Sequence, residues 1–374
     1  MIEKTNFELR KLTNLTKKAK GLITFNDQTY VDFSSNDYLG LASHPALKKA
    51  AREAIQTYGV GTGSSRLLSG NFELNIELEE ELARFKNKKA SLVFNSGYQA
   101  NLGIITTLAL NTDVIFVDRF IHRSIIDAIL LAKVRFFRFH HNDLNHLTHL
   151  LQKERSKYQK ALIITESVFS MDGDLAPLPD LVSLKNRFNC ELFLDEAHAT
   201  GIFGKNGAGL AEQFLVQDQI EYQMGTFSKA LGSFGGFLAC SKKVRENLIQ
   251  KASSFIYSTS LPLSIIAANL ASLKVIQNEP MRRKKLLQNA HFFMNELKKN
   301  DQSKGAFNGS QIIPFIVGSS QASLKLSKKL LDYGCFVLPI RPPTVPMSTA
   351  RLRIAVNYYH TKKSLLGLVK LLKT

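Results

Sequence analysis

Apolar and polar residues follow a regular pattern through the middle of the chain, between residues 90 and 240. Short apolar runs recur there, and segments with helical spacing separate them. The runs are continuously apolar, which is typical of strands that a parallel sheet buries on both faces. Strands separated by helices indicate an α/β fold with a mostly parallel sheet. The predicted strands are residues 90–94, 114–117, 134–139, 161–165, 191–195, 222–227 and 237–240.

Segments on both sides of this region complete the predicted architecture. A helix over residues 5–18 and a hairpin over 22–33 precede a helix that begins at Pro45, because proline suits the first helical turn. Asn71 is the predicted N-cap of a helix that ends at Phe85. We expect an N-terminal segment, a large domain and a smaller C-terminal α/β domain, at residues 1–44, 45–277 and 278–374.

Composition narrows the class of protein. A chain of 374 residues can form two domains, and its net charge of +18 suggests an anionic partner, such as a phosphate-bearing substrate or an acidic protein. The three cysteines lie far apart beside apolar residues, which predicts buried free thiols in a reducing compartment. No apolar run reaches membrane-spanning length, and the N-terminus has no signal-peptide core. We therefore expect a cytoplasmic protein with no membrane partner.

Four chemically suggestive residues fall where predicted strands end. Lys229 lies among glycines and hydroxyl residues between the last two strands, and such a lysine can form an imine with a carbonyl compound. Gly97 begins a helix, where free backbone N–H groups suit a phosphate. His122 can stack on a flat ring, and Asp195 can pair with a positive centre. Taken singly, each also has a structural reading, as a loop lysine, an N-cap, a structural histidine or a buried acid.

Other motifs in the sequence favour different functions but lack their required context. Residues 195–198 read DEAH, as in a helicase box, yet no phosphate loop of the form GxxxxGK[ST] lies upstream. The glycine run at 59–63 follows a helix rather than a strand, which argues against a dinucleotide loop. Asp172 and Asp174 lack the twelve-residue loop of a calcium site. We expect neither a nucleic-acid partner nor a metal.

The four strand-end residues fit one cofactor, pyridoxal phosphate. Its phosphate suits the helix start at Gly97, its ring suits stacking on His122, and its ring nitrogen suits Asp195. Lys229 would hold its aldehyde and then move protons at the α-carbon of an amino acid.

Ten motifs, in order along nearly the whole chain, give the sequence a resemblance to the α-oxoamine synthases, pyridoxal-phosphate enzymes with the aspartate-aminotransferase fold. They are FSSNDYLGL, GTGSSRLLSG, FNSGYQAN, DRFIHRS, HND, ESVFSMDGD, LDEAHATG, TFSKALGSFGG, IYSTSLP and IRPPTVPMSTARLR. The resemblance implies a large domain with a mostly parallel sheet, a smaller C-terminal domain and a homodimer with shared active sites.

The family's cofactor residues carry over onto matching motifs. Lys229 would form the imine, Asp195 would pair with the ring nitrogen, His198 would contact the phenolic oxygen, and His122 would stack on the ring. The complete cofactor set that the resemblance implies is Gly97, Tyr98, His122, Ser170, Asp195, His198, Thr226, Lys229, Ser258 and Thr259. In this set, the backbone at Gly97 and Tyr98 and the Thr226 hydroxyl would hold the phosphate, and Ser170 would lie beside the ring. Ser258 and Thr259 would reach the phosphate bound by the partner subunit.

The resemblance also implies the substrates. Asn36 and Arg353 would bind the carboxylate of the amino acid, and Arg10 and Thr344 would contact the acyl donor or the product. The segment RPPTVP favours L-alanine and a pimeloyl thioester, carried by coenzyme A or by an acyl carrier protein. The expected reaction is a condensation of the two with loss of CO2. The alternative is a sibling enzyme that uses glycine and a short acyl-CoA.

Overall fold

A computed structural model describes residues 12–299 and 309–373 of the chain. Its first part is a small antiparallel sheet followed by two helices. The elements are β1 (Lys17–Ala19), β2 (Leu22–Phe25), β3 (Gln28–Asp32), α1 (Pro45–Tyr58) and α2 (Glu73–Phe85). The predicted hairpin is confirmed. Asn26 and Asp27 form its turn, with the positive φ values of 47° and 58° that a two-residue hairpin turn needs.

Two predictions for this part need correction. The helix predicted over residues 5–18 lies partly outside the described residues, but its last residues belong to strand β1 because they pair with β2. Asn71 is not the N-cap of α2. The N-cap is Phe72, whose N–H donates to Asn75 Oδ1 at 3.0 Å, while Asn71 Oδ1 accepts from Arg66 Nε at 2.6 Å. Asn75, at the third position of the helix, therefore supplies a capping hydrogen bond in place of the one expected from Asn71.

A seven-stranded sheet forms the centre of the molecule, in the order β4-β10-β9-β8-β7-β5-β6. Every predicted strand of this region is present, so the α/β class with a mostly parallel sheet is confirmed. The elements are β4 (Ala90–Phe94), α3 (Gly97–Ala109), β5 (Val114–Asp118), α4 (Arg123–Ala132), β6 (Arg135–Phe139), α5 (Leu144–Glu154), β7 (Ala161–Glu166), α6 (Leu178–Arg187), β8 (Glu191–Asp195), α7 (Leu210–Gln213), β9 (Tyr222–Thr226) and β10 (Gly236–Cys240).

Strand β10 runs antiparallel to both of its neighbours, β4 and β9, whereas the other pairs are parallel. Residues 227–235 connect β9 to β10. A connection of this length cannot carry a crossover helix, so the chain turns back beside the strand it has just left. Because β4 and β9 both oppose β10, the carboxyl ends of β4, β5, β7, β8 and β9 lie at the same edge of the sheet.

The rest of the chain forms helices and one small sheet, and it adds a strand to the N-terminal sheet. The elements are α8 (Lys242–Lys251), α9 (Ser253–Ile256), α10 (Leu263–Asn278), α11 (Pro280–Lys299), β11 (Ile312–Gly318), α12 (Ser320–Asp332), β12 (Cys335–Phe336), β13 (Pro339–Ile340), β14 (Ala350–Ala355) and α13 (Lys362–Leu372). Strands β11, β14 and β13 form an antiparallel sheet, and β12 pairs in parallel with β3 of the hairpin. The division into three domains stays a prediction.

Apolar side chains cover both faces of the central sheet. On β5, Val114 and Phe116 pack into one buried cluster, while Ile115 and Val117 pack into a second cluster on the opposite face. This two-sided burial explains why the strands are continuously apolar in sequence. Of the helices within the described residues, none has the length and apolar character needed to span a membrane.

Candidate active site

Five side chains or backbone groups meet at the carboxyl edge of the sheet. They lie at or after the ends of β4, β5, β7, β8 and β9, and they are Gly97, His122, Glu166, Asp195 and Lys229. Ligands of open α/β sheets bind at this edge, because the loops there leave a crevice. The fold therefore brings together four residues that are far apart in sequence and that were predicted to share a site, and it adds Glu166.

The side-chain amine of Lys229 has a lowered pKa. Its Nζ lies 2.9 Å from His198 Nε2, and its side chain is half-buried. Burial lowers the pKa of Lys229 to about 8, although the nearby carboxylates of Asp195 and Glu166 oppose the shift. A lysine with this pKa has a substantial neutral fraction near pH 7 to 8, as a nucleophilic amine requires.

A chain of buried hydrogen bonds continues from His198. Tyr38 Oη lies 2.7 Å from His198 Nδ1, and Arg353 Nη2 donates to Tyr38 Oη at 3.1 Å. Burial lowers the pKa of His198 well below its ordinary value, and the positive charges of Lys229 and Arg353 lower it further. His198 is therefore a neutral imidazole. Asn36 Oδ1 lies 3.0 Å from Tyr38 Oη, so the predicted substrate residues Asn36 and Arg353 share this tyrosine.

Asp195 is held by donors from two directions. Asn101 Nδ2 donates to Oδ2 at 3.0 Å, and the backbone N–H of Ala197 donates to Oδ1 at 2.9 Å. Asn101 also donates to Ser124 Oγ at 2.9 Å, which in turn lies 2.8 Å from His122 Nδ1. This network links the carboxylate to the histidine ring. Desolvation by the surrounding protein lowers the pKa of His122, even though part of the side chain stays exposed.

Helix α3 begins beside Thr226. Its first internal hydrogen bond runs from Ala100 N–H to Ser96 O at 2.9 Å, so the N–H groups of Gly97 and Tyr98 fall outside the helical bonding pattern. A Cβ on Gly97 would lie 3.7 Å from Thr226 Oγ1, which shows how closely the helix start approaches that hydroxyl. The N–H groups at the start of α3 and the Thr226 hydroxyl therefore lie close together, as groups that hold a phosphate would.

Other predicted site residues lie on neighbouring segments. Ser258 Oγ accepts from Gln99 Nε2 at 3.5 Å, and the Thr259 carbonyl accepts from Asn95 Nδ2 at 2.8 Å, so both residues flank the start of α3. The Ser170 carbonyl accepts from Arg353 Nε at 2.5 Å. Thr344 lies in an exposed turn. Arg10 lies outside the described residues.

Sequence reasoning missed Tyr38, Asn101 and Glu166. Glu166 is paired in register with Asp195, its Oε1 is buried, and within the described part of the chain no hydrogen-bond partner reaches that atom. Burial raises its pKa well above the ordinary value, and the Asp195 carboxylate raises it further. Its place at the end of a buried strand was a usable signal. Tyr38 and Asn101 had none, because their partners are distant in sequence.

Comparisons with known proteins agree with this geometry. The chain matches the aminotransferase class I and II family over residues 8–371. It is 48% identical to 8-amino-7-oxononanoate synthase of Geobacter sulfurreducens, over 88% of this chain and 85% of that protein. A structure of serine palmitoyltransferase from S. paucimobilis with a bound PLP–myriocin aldimine has a TM-score of 0.91 at 29% identity, covering 96% of this chain and 90% of that one. A crystal structure of 8-amino-7-oxononanoate synthase from Francisella tularensis has a TM-score of 0.81 at 30% identity, covering 92% and 97%.

The chain belongs to the aminotransferase class I and II family and has its α/β fold. Its curated relatives at 39 to 48% identity include several named 8-amino-7-oxononanoate synthase, each matched over most of its length. The resemblance to the α-oxoamine synthases is therefore confirmed.

Proposed function

We propose that the protein is a pyridoxal-phosphate-dependent acyltransferase of biotin biosynthesis. It condenses L-alanine with a pimeloyl thioester and releases 8-amino-7-oxononanoate, CO2 and a free thiol. The observation that carries this proposal is the lysine amine with a pKa of about 8, placed at one sheet edge with Asp195, His122 and the start of α3. The names of the curated relatives support the choice of reaction.

Pyridoxal phosphate fits the residues at this edge. The helix start and Thr226 form a cradle that a side chain at Gly97 would narrow, as a phosphate site requires. Asp195 keeps a buried carboxylate for the ring nitrogen, and Lys229 keeps an amine for the aldehyde. When bound, the cofactor supplies a ring that accepts the electrons of a carbanion at the substrate's α-carbon.

The residues of the chain have separate tasks in the reaction. Lys229 removes the α-proton of alanine and returns a proton to the same carbon after CO2 has left. Asp195 would hold the positive charge at the ring nitrogen of the cofactor, and His122 would cover one face of that ring. His198 is neutral and lies against Lys229, so it orients the amine without adding a competing charge.

Arg353 and Asn36 are the proposed partners of the alanine carboxylate. Arg353 is buried, and its Nε and Nη2 bond to Ser170 O and Tyr38 Oη, which fixes the plane of the guanidinium. A fixed planar fork suits a carboxylate. We place the acyl donor, as a coenzyme A or acyl carrier protein thioester, toward Arg10 and Thr344.

The quaternary and cellular parts of the proposal rest on the family. We infer a homodimer in which Ser258 and Thr259 contribute to the phosphate site of the partner subunit, and a cytoplasmic location. A gel-filtration and light-scattering measurement that gave only monomer at micromolar concentration would contradict the dimer.

A panel of substrates tests the proposal. Thiol release is measured with alanine, glycine or serine, each paired with pimeloyl-CoA, acetyl-CoA, succinyl-CoA and palmitoyl-CoA. We expect alanine with pimeloyl-CoA to give the highest kcat/KM and Lys229→Ala to give none above background. A preference for glycine with a short acyl-CoA would overturn the biotin assignment in favour of the sibling reaction. Turnover by Lys229→Ala at the wild-type rate would overturn the mechanism.

A further inference from the structure

The ring of His141, in the HND motif, bridges two carboxylates beside the proposed site. Its Nδ1 lies 3.0 Å from Asp118 Oδ1, and its Nε2 lies 2.7 Å from Asp174 Oδ2. The ring stacks on Phe120, with centroids 4.6 Å apart and an angle of 28°, and it meets Phe169 edge-on at 4.3 Å. Two carboxylates and two aromatic rings therefore hold the His141 ring in position.

The geometry requires His141 to be positively charged. A neutral imidazole has one donor nitrogen and one acceptor nitrogen, and here the acceptor would face a carboxylate oxygen. An imidazolium donates from both nitrogens. Partial burial lowers the pKa of His141, but the hydrogen bonds and charges of Asp118 and Asp174 outweigh it and raise the pKa to about 10.

The neighbouring Asn142 completes the bridge. Its backbone N–H donates to Asp118 Oδ2 at 2.9 Å, and its Nδ2 donates to Asp174 Oδ2 at 2.6 Å. Two consecutive residues thus donate four hydrogen bonds to the same two carboxylates, counting both nitrogens of His141. Charge-assisted bonds of this kind are stronger than those between neutral groups.

Each carboxylate belongs to a segment that carries a proposed site residue. Asp118 is the last residue of β5, and its Oδ1 accepts from the backbone N–H of Phe120 at 2.7 Å. Phe120 lies two residues before His122. Asp174 lies in the loop of residues 167–175, where its backbone carbonyl accepts from Phe169 N–H at 3.1 Å. The same loop carries Ser170, whose carbonyl accepts from Arg353.

We propose that His141 is a positioning residue that joins the segment carrying His122 to the loop carrying Ser170. By tying Asp118 to Asp174, it sets the distance between His122, which would stack on the cofactor, and Arg353, which would bind the alanine carboxylate. The inference rests on the proposed function, because it assigns His141 a part in that reaction.

The test compares His141→Gln with His140→Gln, a matched control. His140 is the adjacent histidine, and its side chain is exposed. We expect His141→Gln to lower kcat/KM for alanine by about 10- to 100-fold, mainly through a higher KM, because a displacement of about 1 Å can cost that much. The visible spectrum of bound pyridoxal phosphate should shift as well, since His122 moves on the ring. His140→Gln should match wild type in both readouts.

Asp174→Asn provides a second test if His141→Gln does not fold. It keeps the side-chain volume and removes one of the two charges, so the same rise in the KM for alanine is expected. The double variant His141→Gln/Asp174→Asn should lose less than the product of the single losses, because both substitutions break one bridge. Unchanged KM and spectrum in a folded His141→Gln or Asp174→Asn would overturn the inference. Failure of wild type to turn over alanine with pimeloyl-CoA would instead overturn the proposed function.

Discussion

Lys229 shows how a half-buried position changes the chemistry of one side chain. Its Nζ is 2.9 Å from a histidine that carries no charge, so this contact is not an ion pair. Desolvation then lowers the pKa of Lys229 to about 8. The carboxylates of Asp195 and Glu166 limit this shift, and removal of either should extend it.

Capture of pyridoxal phosphate by the cofactor-free protein should therefore depend on pH. Below the pKa the amine is protonated and cannot attack the aldehyde, whereas above it the neutral amine can. The rate of capture, followed by visible absorbance, should rise with pH through a midpoint near 8. In Asp195→Asn the midpoint should move to lower pH, because Asp195 raises the pKa of Lys229. A midpoint that moved upward would contradict this account.

Arg353 tests the proposed carboxylate site. In Arg353→Lys the charge stays, but the planar fork fixed by Tyr38 and Ser170 is lost. We expect the KM for alanine to rise roughly 10- to 100-fold, the effect of losing one hydrogen bond to a charged group. The KM for pimeloyl-CoA should stay the same in the same assay. Equal rises in both constants would show a general disturbance and would refute the specific role.

The elements around the site could be predicted from sequence to different degrees. The strands of the central sheet were found because burial on both faces makes them continuously apolar. The antiparallel direction of β10 could also have been predicted, since residues 227–235 are too few for a crossover connection between parallel strands. The contact of Tyr38 with His198 joins residues 160 positions apart, and no local pattern encodes it.

A buried ion pair fixes the turn that follows β8. Lys86 Nζ lies 2.6 Å from Glu196 Oε2, with both side chains fully buried, and it also donates to Thr200 Oγ1 at 2.9 Å. Glu196 Oε1 accepts from Ala211 N–H at 3.0 Å. Glu196 follows Asp195 directly, so this pair supports the carboxylate proposed for the ring nitrogen.

Removal of one member of this pair should cost more stability than removal of both charges. Lys86→Met leaves the Glu196 carboxylate buried without its cation, which should lower the free energy of unfolding by about 3–5 kcal/mol in a urea titration. The double variant Lys86→Met/Glu196→Gln has no uncompensated charge and should be more stable than Lys86→Met alone. If Glu196→Gln lowered the free energy of unfolding of Lys86→Met further, the unpaired carboxylate would not be the cause of the lost stability.

The net charge of +18 acts over the whole molecule, and it suggests how the acyl donor is attracted. Coenzyme A carries several phosphate charges, and a positive protein raises the rate at which such a donor arrives. Salt screens this attraction, because the Debye length falls from about 30 Å at 0.01 M to about 8 Å at 0.15 M. We expect kcat/KM for pimeloyl-CoA to fall as salt rises over that range.

A donor without the nucleotide separates this effect from a general action of salt on the enzyme. Pimeloyl pantetheine has the same acyl chain and thioester but lacks the phosphates, so its kcat/KM should change much less with salt. The KM for alanine, a zwitterion with no net charge, should also change little. Equal salt dependence for the two donors would mean that the positive charge does not guide the donor. The charge would then serve the solubility of the chain or a different partner.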